Sequence, residues 1–335
     1  FGATVTGNIV IGNRIGTDSL GTTSLPNAGE GIHIASGSGN VIGGTAAGTG
    51  NLISGNTQSG VAISAPTATN NTVLNNLIGT NNSGMSAIGN GGNGVVITDA
   101  GANTIGVANG GNVISGNGQN GIAIFGVASI GNQIYANRIG ANFQATGPVG
   151  NLQNGIRVDG AVTTVIGGTS VSLRNVIGGN LQHGIGLYDL ASGTRVAGNT
   201  VGFSAPLTFI GNGLEGIQIN NASNTTIGGP QPEQANLISR NGRNGVSLIA
   251  GTHNVIEGNR IFGNTALGID LGNDGVTTND TGDRGTGPHN VQNFPVLAGV
   301  VGGVTGTHNS TPGSGFLIEF YGNTTCDASQ HGEGE

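Results

Sequence analysis

Arg157, Asp159, Tyr188, Gln218, Asn220 and Asp270 stand at equivalent places along successive repeats of this sequence, with His183 and Glu215 at the neighbouring corners. A Tyr ring offers a flat face for stacking, and Arg, Asp, Gln and Asn offer directional hydrogen bonds to hydroxyls. A row of such groups repeated along one axis suits an extended polysaccharide, held by Arg157, Asp159, Tyr188, Gln218, Asn220 and His183. The competing reading is a solvated face that has to be polar anyway. Arg157 and Asp159 then simply pair at the surface, worth at most about 1 kcal/mol. Catalysis is a third use, and Arg157, Asp159 and Glu215 are its candidates. A hydrolase needs two carboxyl groups within about 10 Å, which Asp159 could make with Asp189 or Glu215, one or two repeats away.

A second group lies further along: Asp270, Asn273, Asp274, Asn279, Asp280 and Asp283. Hard oxygen ligands on a Gly-rich loop are what Ca²⁺ takes, so Asp270, Asp274, Asp280 and Asp283 are the candidate metal ligands. Their spacing matches neither an EF-hand nor the Gly-Gly-x-Gly-x-Asp nonapeptide. A solvated acidic loop is the alternative, and no other cofactor is implied.

The elements that position these groups are repeats. An Asn stands directly before an x-Ile or x-Val pair at Asn13, Asn51, Asn76, Asn112, Asn137, Asn175, Asn199, Asn236 and Asn259, with gaps alternating between 36–38 and 23–25 residues. A solenoid has use for such a tally, because each turn sets the same side chain over its neighbour. Stacked Asn side chains can pass hydrogen bonds from coil to coil and satisfy backbone groups at a bend. A second motif, Gly-Ile-x-Ile and its variants, opens each coil at Gly31, Gly60, Gly94, Gly121, Gly155, Gly184, Gly216, Gly245 and Gly268.

Each coil reads as three short strands: Gly-Ile-x-Ile, a segment like Asn40-Val41-Ile42, and Asn-x-Ile. Period-two alternation points the flanking aliphatics inward and the middle residue outward. Inward stacks such as Ile122, Ile156 and Ile185, or Ile114, Ile139 and Ile177, then build a core in a chain with 4% aromatics and no Trp. One long corner follows the second strand of alternate coils, as in 45–50, 169–174 and 230–235. The other precedes the next Gly motif, as in 17–30, 80–93, 141–154 and 203–215. The outward row of strand two runs Val41, Thr72, Thr104, Gln133, Val165, Arg195, Thr226 and Val255, so it is no Thr ladder and sets an ice-binding face aside.

Composition agrees. Sixty-nine Gly and 7% charged residues would suggest disorder without a period, but here Gly sits at fixed offsets as corners between strands. A net charge of −7, with nine Arg and no Lys, argues against a nucleic-acid partner, which needs clustered cations. No run of about 18 apolar residues exists to span a membrane. The lone Cys326 can form no internal disulfide. The chain opens inside a repeat, and an export signal upstream of Phe1 is the expectation.

Over residues 5–271, the motifs Asn51-Leu52-Ile53-Ser54-Gly55-Asn56 and Asn112-Val113-Ile114-Ser115-Gly116-Asn117, with Gly-Ile-x-Ile throughout, resemble the right-handed parallel β-helix repeat proteins of bacterial surfaces and secretomes. The resemblance implies an all-β solenoid of about nine to ten coils and an extracellular or cell-surface location. It leaves function open, because that superfamily holds lyases, hydrolases, epimerases, carbohydrate-binding modules and adhesins. A lyase of this fold implies a Lys or Arg base and often Ca²⁺, which leaves Arg157 as the base. The Asn-Thr-Asp, Asp-Asp, Gly-His-Gly and Arg-Ile-Lys motifs of the polygalacturonase-like enzymes are absent. The run from Gly268-Ile269-Asp270-Leu271 through Phe294-Pro295-Val296-Leu297 is similar to the ends of such arrays in modular secreted proteins, where a β-sandwich-like module follows.

The expected organisation is therefore a β-helix over 1–271, an Asp/Asn/Gly-rich exit over 272–295 and the start of a β-sandwich-like module over 296–335, including a strand at Gly315–Tyr321. The expected function is non-catalytic binding of a polysaccharide or cell-surface glycan, or adhesion. A polysaccharide lyase or glycoside hydrolase, and a structural stalk or filament joined end to end through its open coil ends, are the alternatives.

Overall fold

A computed structural model gives the architecture and describes residues 5–204, 208–300 and 303–322. Three parallel sheets of nine strands each run the length of the molecule. Sheet one takes the Gly-Ile-x-Ile strands, from Ile32–Ile34 to Ile269–Leu271; sheet two runs from Ile9–Val10 to Val255–Glu257; sheet three runs from Arg14–Ile15 to Arg260–Phe262. Each strand pairs in parallel with its equivalents one coil before and after, so the chain is an all-β, right-handed parallel β-helix. The strands are short because each coil must turn three times, and the short run between turns leaves room for only two inward side chains.

The core is a set of aliphatic columns. Ile114, Ile122, Ile124, Ile134, Ile139, Ile156, Ile166, Ile177 and Ile185 are all fully buried in one continuous cluster. A β-branched residue fits this lattice because its equivalents pack directly above and below at the strand spacing of about 4.8 Å. Burial of each Ile contributes roughly 1.5–3 kcal/mol.

Asn ladders close the bends. Along the row before strand three, Asn76 donates from its backbone N and from Nδ2 to Oδ1 of Asn112 at 3.0 Å, and Asn112 repeats the pattern onto Asn137. Two more ladders exist. One links Asn8, Asn40, Asn71, Asn103 and Asn132. The other runs from Asn27 through Asn56, Asn90, Asn117, Asn151, Asn180, Asn212 and Asn241 to Asn264. The first of these two passes to Thr164, Thr194 and Thr225, whose buried hydroxyls have no partner.

The long corners before the Gly motif are hairpins, bridged antiparallel at Thr17–Ser24, Thr80–Ala87 and Ala141–Pro148, and at Phe203–Ser204 with Thr208–Phe209. Each of the first three is capped by one side chain: Asp18, Asn81 and Asn142 accept hydrogen bonds from Thr22, Met85 and Thr146 backbone N–H groups. Backbone hydrogen bonds from Thr22 and Thr23 hold the Asp18 carboxyl below its ordinary range. Corners of the other kind carry short 3-10 turns at Val171–Leu173 and Pro232–Gln234.

Sheet one ends at Leu271, and the exit segment then folds back. Its 3-10 turn Pro288–Val291 packs against the strands Val246–Ala250 and Ile269–Leu271. Beyond it the described residues hold one antiparallel hairpin, Val296–Val300 with Val304–Thr307. The Gly315–Tyr321 run, expected as a strand, forms none; its residues are exposed and pair with no neighbouring strand. Cys326 lies outside the described residues.

Candidate functional site

Strand register sets the site. Ala123, Arg157, Gly186, Gln218, Ser247 and Asp270 lie opposite one another along the middle of sheet one, and Phe125, Asp159, Tyr188 and Asn220 form the next outward row. The second row departs from simple periodicity at its end. A bulge at Ile219/Asn220 sets Ala250 opposite Asn220, where uninterrupted pairing would put Ile249.

Arg157, Asp159 and Tyr188 come together. The Arg157 guanidinium donates from Nη2 and Nε to Asp159 Oδ2 at 2.5 and 3.2 Å. The same guanidinium lies 4.5 Å from the Tyr188 ring centre and 5.8 Å from that of Phe125. Phe125, Arg157 and Tyr188 thus form a cation–π column across three coils, held in place by Asp159. Tyr188 lies down along its own strand because residue 186 is Gly. A Cβ there would stand 2.4 Å from Cε2 and 2.5 Å from Oη of Tyr188. Burial pushes the Tyr188 phenol above its ordinary value; Arg157 and a hydrogen bond from the Asn154 side chain act the other way.

His183 and Glu215, expected at the corners beside this face, are both buried. The position before each Gly motif reads Glu30, Ser59, Asn93, Asn120, Asn154, His183, Glu215, Asn244 and Leu267, a fourth row, polar up to Asn244, in which Asn120 and Asn154 each donate backbone N–H to the preceding Asn. His183 N–H continues it onto Asn154 Oδ1 at 3.2 Å. His183 Nδ1 then approaches Glu215 Oε2 to 2.7 Å, and Glu215 is only 1% exposed. The approach is close but off the ideal hydrogen-bond direction, so neither Glu215 oxygen has a well-aligned donor. Arg243 Nη1, at 3.9 Å from Oε1, is mostly exposed. Burial alone would raise the Glu215 carboxyl; the His183 contact, a backbone N–H and the charges of His183 and Arg243 outweigh it and hold the group below its ordinary value.

Gln218 is 8% exposed and Asn220 half-buried on the adjoining strand. Asp270 does not join them. It lies four rungs from Arg157, roughly 19 Å at the strand spacing, and is buried along with Ser247 where the exit segment packs.

The carboxylates of the exit are not gathered into one set either. Asp270 Oδ2 accepts from Asn244 Nδ2 and Gly275 N at 3.1 and 3.2 Å. Asp280 caps the backbone of Arg284, and Asp283 accepts from Asn293 N and Ser310 Oγ. Asp274 lies against Gly272. Among the described residues no three His, Cys, Asp or Glu side chains converge as a metal site would require.

No family model matches this chain, and no curated protein matches it. Among solved structures, two of the periplasmic alginate epimerase AlgG, one of them a double mutant, align with it at 13% identity and TM-scores of 0.41 and 0.44. Each alignment covers 68% of this chain and 47% of the epimerase, so the chain spans less than half of their length. A likeness at that level carries no argument about chemistry.

Proposed function

We propose that this chain is a non-catalytic solenoid of a bacterial exterior, extracellular or surface-displayed, that binds an extended polysaccharide along sheet one. The observation that carries this reading is the Phe125–Arg157–Tyr188 column with the half-buried Asn220 on the next strand, Gln218 beside it being buried. It offers aromatic surface and directional hydrogen-bonding groups on successive rungs, already ordered before a ligand arrives, which lowers the entropy cost of binding. Among the described residues no helix is long and apolar enough to cross a membrane.

A lyase or hydrolase acting through Arg157, Asp159 and Glu215 draws less support. Asp159 is committed to Arg157, and Glu215 is buried against His183 rather than presented to a ligand. A stalk or filament subunit draws on the exposed Ile9 and Ile11 of the first coil and Ile269 of the last.

A polysaccharide panel, read for affinity and for new reducing or unsaturated ends, tests the choice. Binding without products, lost in an Arg157→Ala/Tyr188→Ala variant, is the expected result. Products that vanish with Arg157→Ala would establish the enzyme instead, and silence on both counts would favour the structural array.

A further inference from the structure

Ser247 and Asp270 pair with each other on the last two strands of sheet one, in the middle outward row. Outward positions ordinarily meet solvent, yet these two are 0% and 4% exposed where the 3-10 turn Pro288–Val291 of the exit segment packs on both strands. Each keeps one buried oxygen with no hydrogen-bond partner, Ser247 Oγ and Asp270 Oδ1. The other Asp270 oxygen is engaged, since Oδ2 accepts from Asn244 Nδ2 at 3.1 Å and from Gly275 N–H at 3.2 Å. The same Asn244 amide donates to Asn273 Oδ1 at 3.1 Å, which brings a third side-chain oxygen to this place.

A buried carboxylate is costly without a countercharge. Among the described residues no Arg or His makes an ion pair with Asp270. A water molecule would satisfy the two bare oxygens and leave the charge uncompensated. A hard cation coordinates both oxygens and compensates the charge as well. Adjacent rungs lie about 4.8 Å apart, and Ca²⁺ takes its oxygen ligands at about 2.3–2.6 Å. One ion midway between two rungs is therefore at coordination distance from an oxygen on each. Mg²⁺, with ligands at about 2.0–2.1 Å and firmly held waters, does not fit that span.

We propose that Asp270 Oδ1, Ser247 Oγ and Asn273 Oδ1 hold a Ca²⁺ ion that fastens the exit segment onto the last coil. Ser247 belongs to the solenoid and Asn273 to the exit, so the ion ties one to the other. Water completes the set of about 6–8 oxygens that Ca²⁺ takes. Three acidic side chains do not converge among the described residues, but a single carboxylate with neutral oxygens also binds Ca²⁺, at lower affinity because the ligand charge is smaller. The site thus falls in the weak class, with Kd about 10⁻⁴–10⁻³ M. Asp280 and Asp283 take no part, being engaged with Arg284, Asn293 and Ser310. The ion stands apart from the glycan reading.

Trypsin tests the fastening. The chain has no Lys, and Arg284 is its only Arg beyond Arg260, so cutting at this exposed residue reports release of the exit. Cleavage of the chelator-treated full chain should slow as calcium chloride is added, with half the effect at about 10⁻⁴–10⁻³ M, and magnesium chloride should not replace it. Asp270→Asn should abolish the calcium response, and Asp280→Asn should keep it. Ser247→Ala should move the response to at least about tenfold higher calcium, the loss that even an outer-shell partner causes. Ser247→Ala also carries a sign of its own. It deletes a buried hydroxyl that has no partner without the ion, so in chelator its thermal midpoint should equal or exceed that of the wild type, and in millimolar calcium fall below it. Should Asp270→Asn fold poorly, Ser247→Ala decides alone. Cleavage indifferent to calcium in the wild type, a response that survives Asp270→Asn, or a Ser247→Ala chain with the wild-type response would overturn the site.

Discussion

His183 Nδ1 lies 2.7 Å from Glu215 Oε2 at a position where the flanking coils carry Asn154 and Asn244. The pair replaces neutral ladder groups with two titratable ones inside a row that is otherwise uncharged from Ser59 onward. The consequences for stability have a definite sign.

Glu215 is held below its ordinary value in the folded chain. A carboxyl depressed in this way contributes stability that is present above its unfolded value, about 4.3. That stability is lost as pH falls through the lower folded value. Thermal unfolding followed from about pH 6 to pH 3 should therefore show a steeper acid-side decline in the wild type than in Glu215→Asn. Parallel curves would contradict the assignment.

Gly186 should prove to be the residue that lets Tyr188 lie flat. In Gly186→Ala the new Cβ meets the ring and hydroxyl at 2.4–2.6 Å, and the flexible side chain must swing away while the strand stays paired. Unfolding should change little, since the clash is with the far end of a side chain. The Tyr188 ring signal and glycan affinity should change substantially. A variant that binds as the wild type does would separate Tyr188 orientation from binding.

The ladders predict an ordering of Asn substitutions. Asn112 accepts from Asn76 N and Nδ2 and donates to Val73 O and Asn137 Oδ1 at 2.8–3.0 Å, all buried. Asn112→Ala leaves the buried Asn76 backbone N–H without its acceptor, while Asn76 Nδ2 keeps Ile42 O and Leu74 O, at a cost of about 1–3 kcal/mol. Asn13→Ala, on the exposed first coil, should cost less than about 0.5 kcal/mol. Denaturant unfolding of the two variants checks this, and equal losses would mean that the ladder is ornament rather than support.

Core columns give a parallel contrast. Ile177→Ala opens a void in a fully buried column and should cost about 2–5 kcal/mol. Ile130→Ala removes a side chain that is 54% exposed and should stay within about 0.5 kcal/mol. The midpoint of urea unfolding separates the two.

The solenoid was legible because its causes are periodic. Ile114, Ile139 and Ile177 repeat at the spacing that their packing demands, and Asn112 and Asn137 repeat with them. The rows Arg157–Gln218 and Asp159–Tyr188–Asn220 followed from the same alternation. Alternation says nothing about corners, so it placed His183 and Glu215 beside the face but could not reveal their burial against each other. A signal was present: His and Glu interrupt the row that reads Asn93, Asn120, Asn154 before them and Asn244 after. Nor could period alone show that Asp270 and Ser247 are buried where the exit segment packs, because that segment has no repeat to read. The Gly315–Tyr321 run alternates as a strand would, yet finds no partner strand among the described residues, and alternation without a partner makes no sheet.

The central claim is that a glycan lies along the strands from Ile122–Phe125 to Ile217–Asn220. Calorimetric titration with oligosaccharides of increasing length, cut from whichever polysaccharide binds, tests it most directly. The account predicts affinity that rises until the chain covers these four strands, about 14 Å at the strand spacing, and then levels off. It also predicts loss of that affinity in Arg157→Ala/Tyr188→Ala, with no shortening of the oligosaccharide during the titration. Affinity indifferent to length, or undiminished in the double variant, would contradict it.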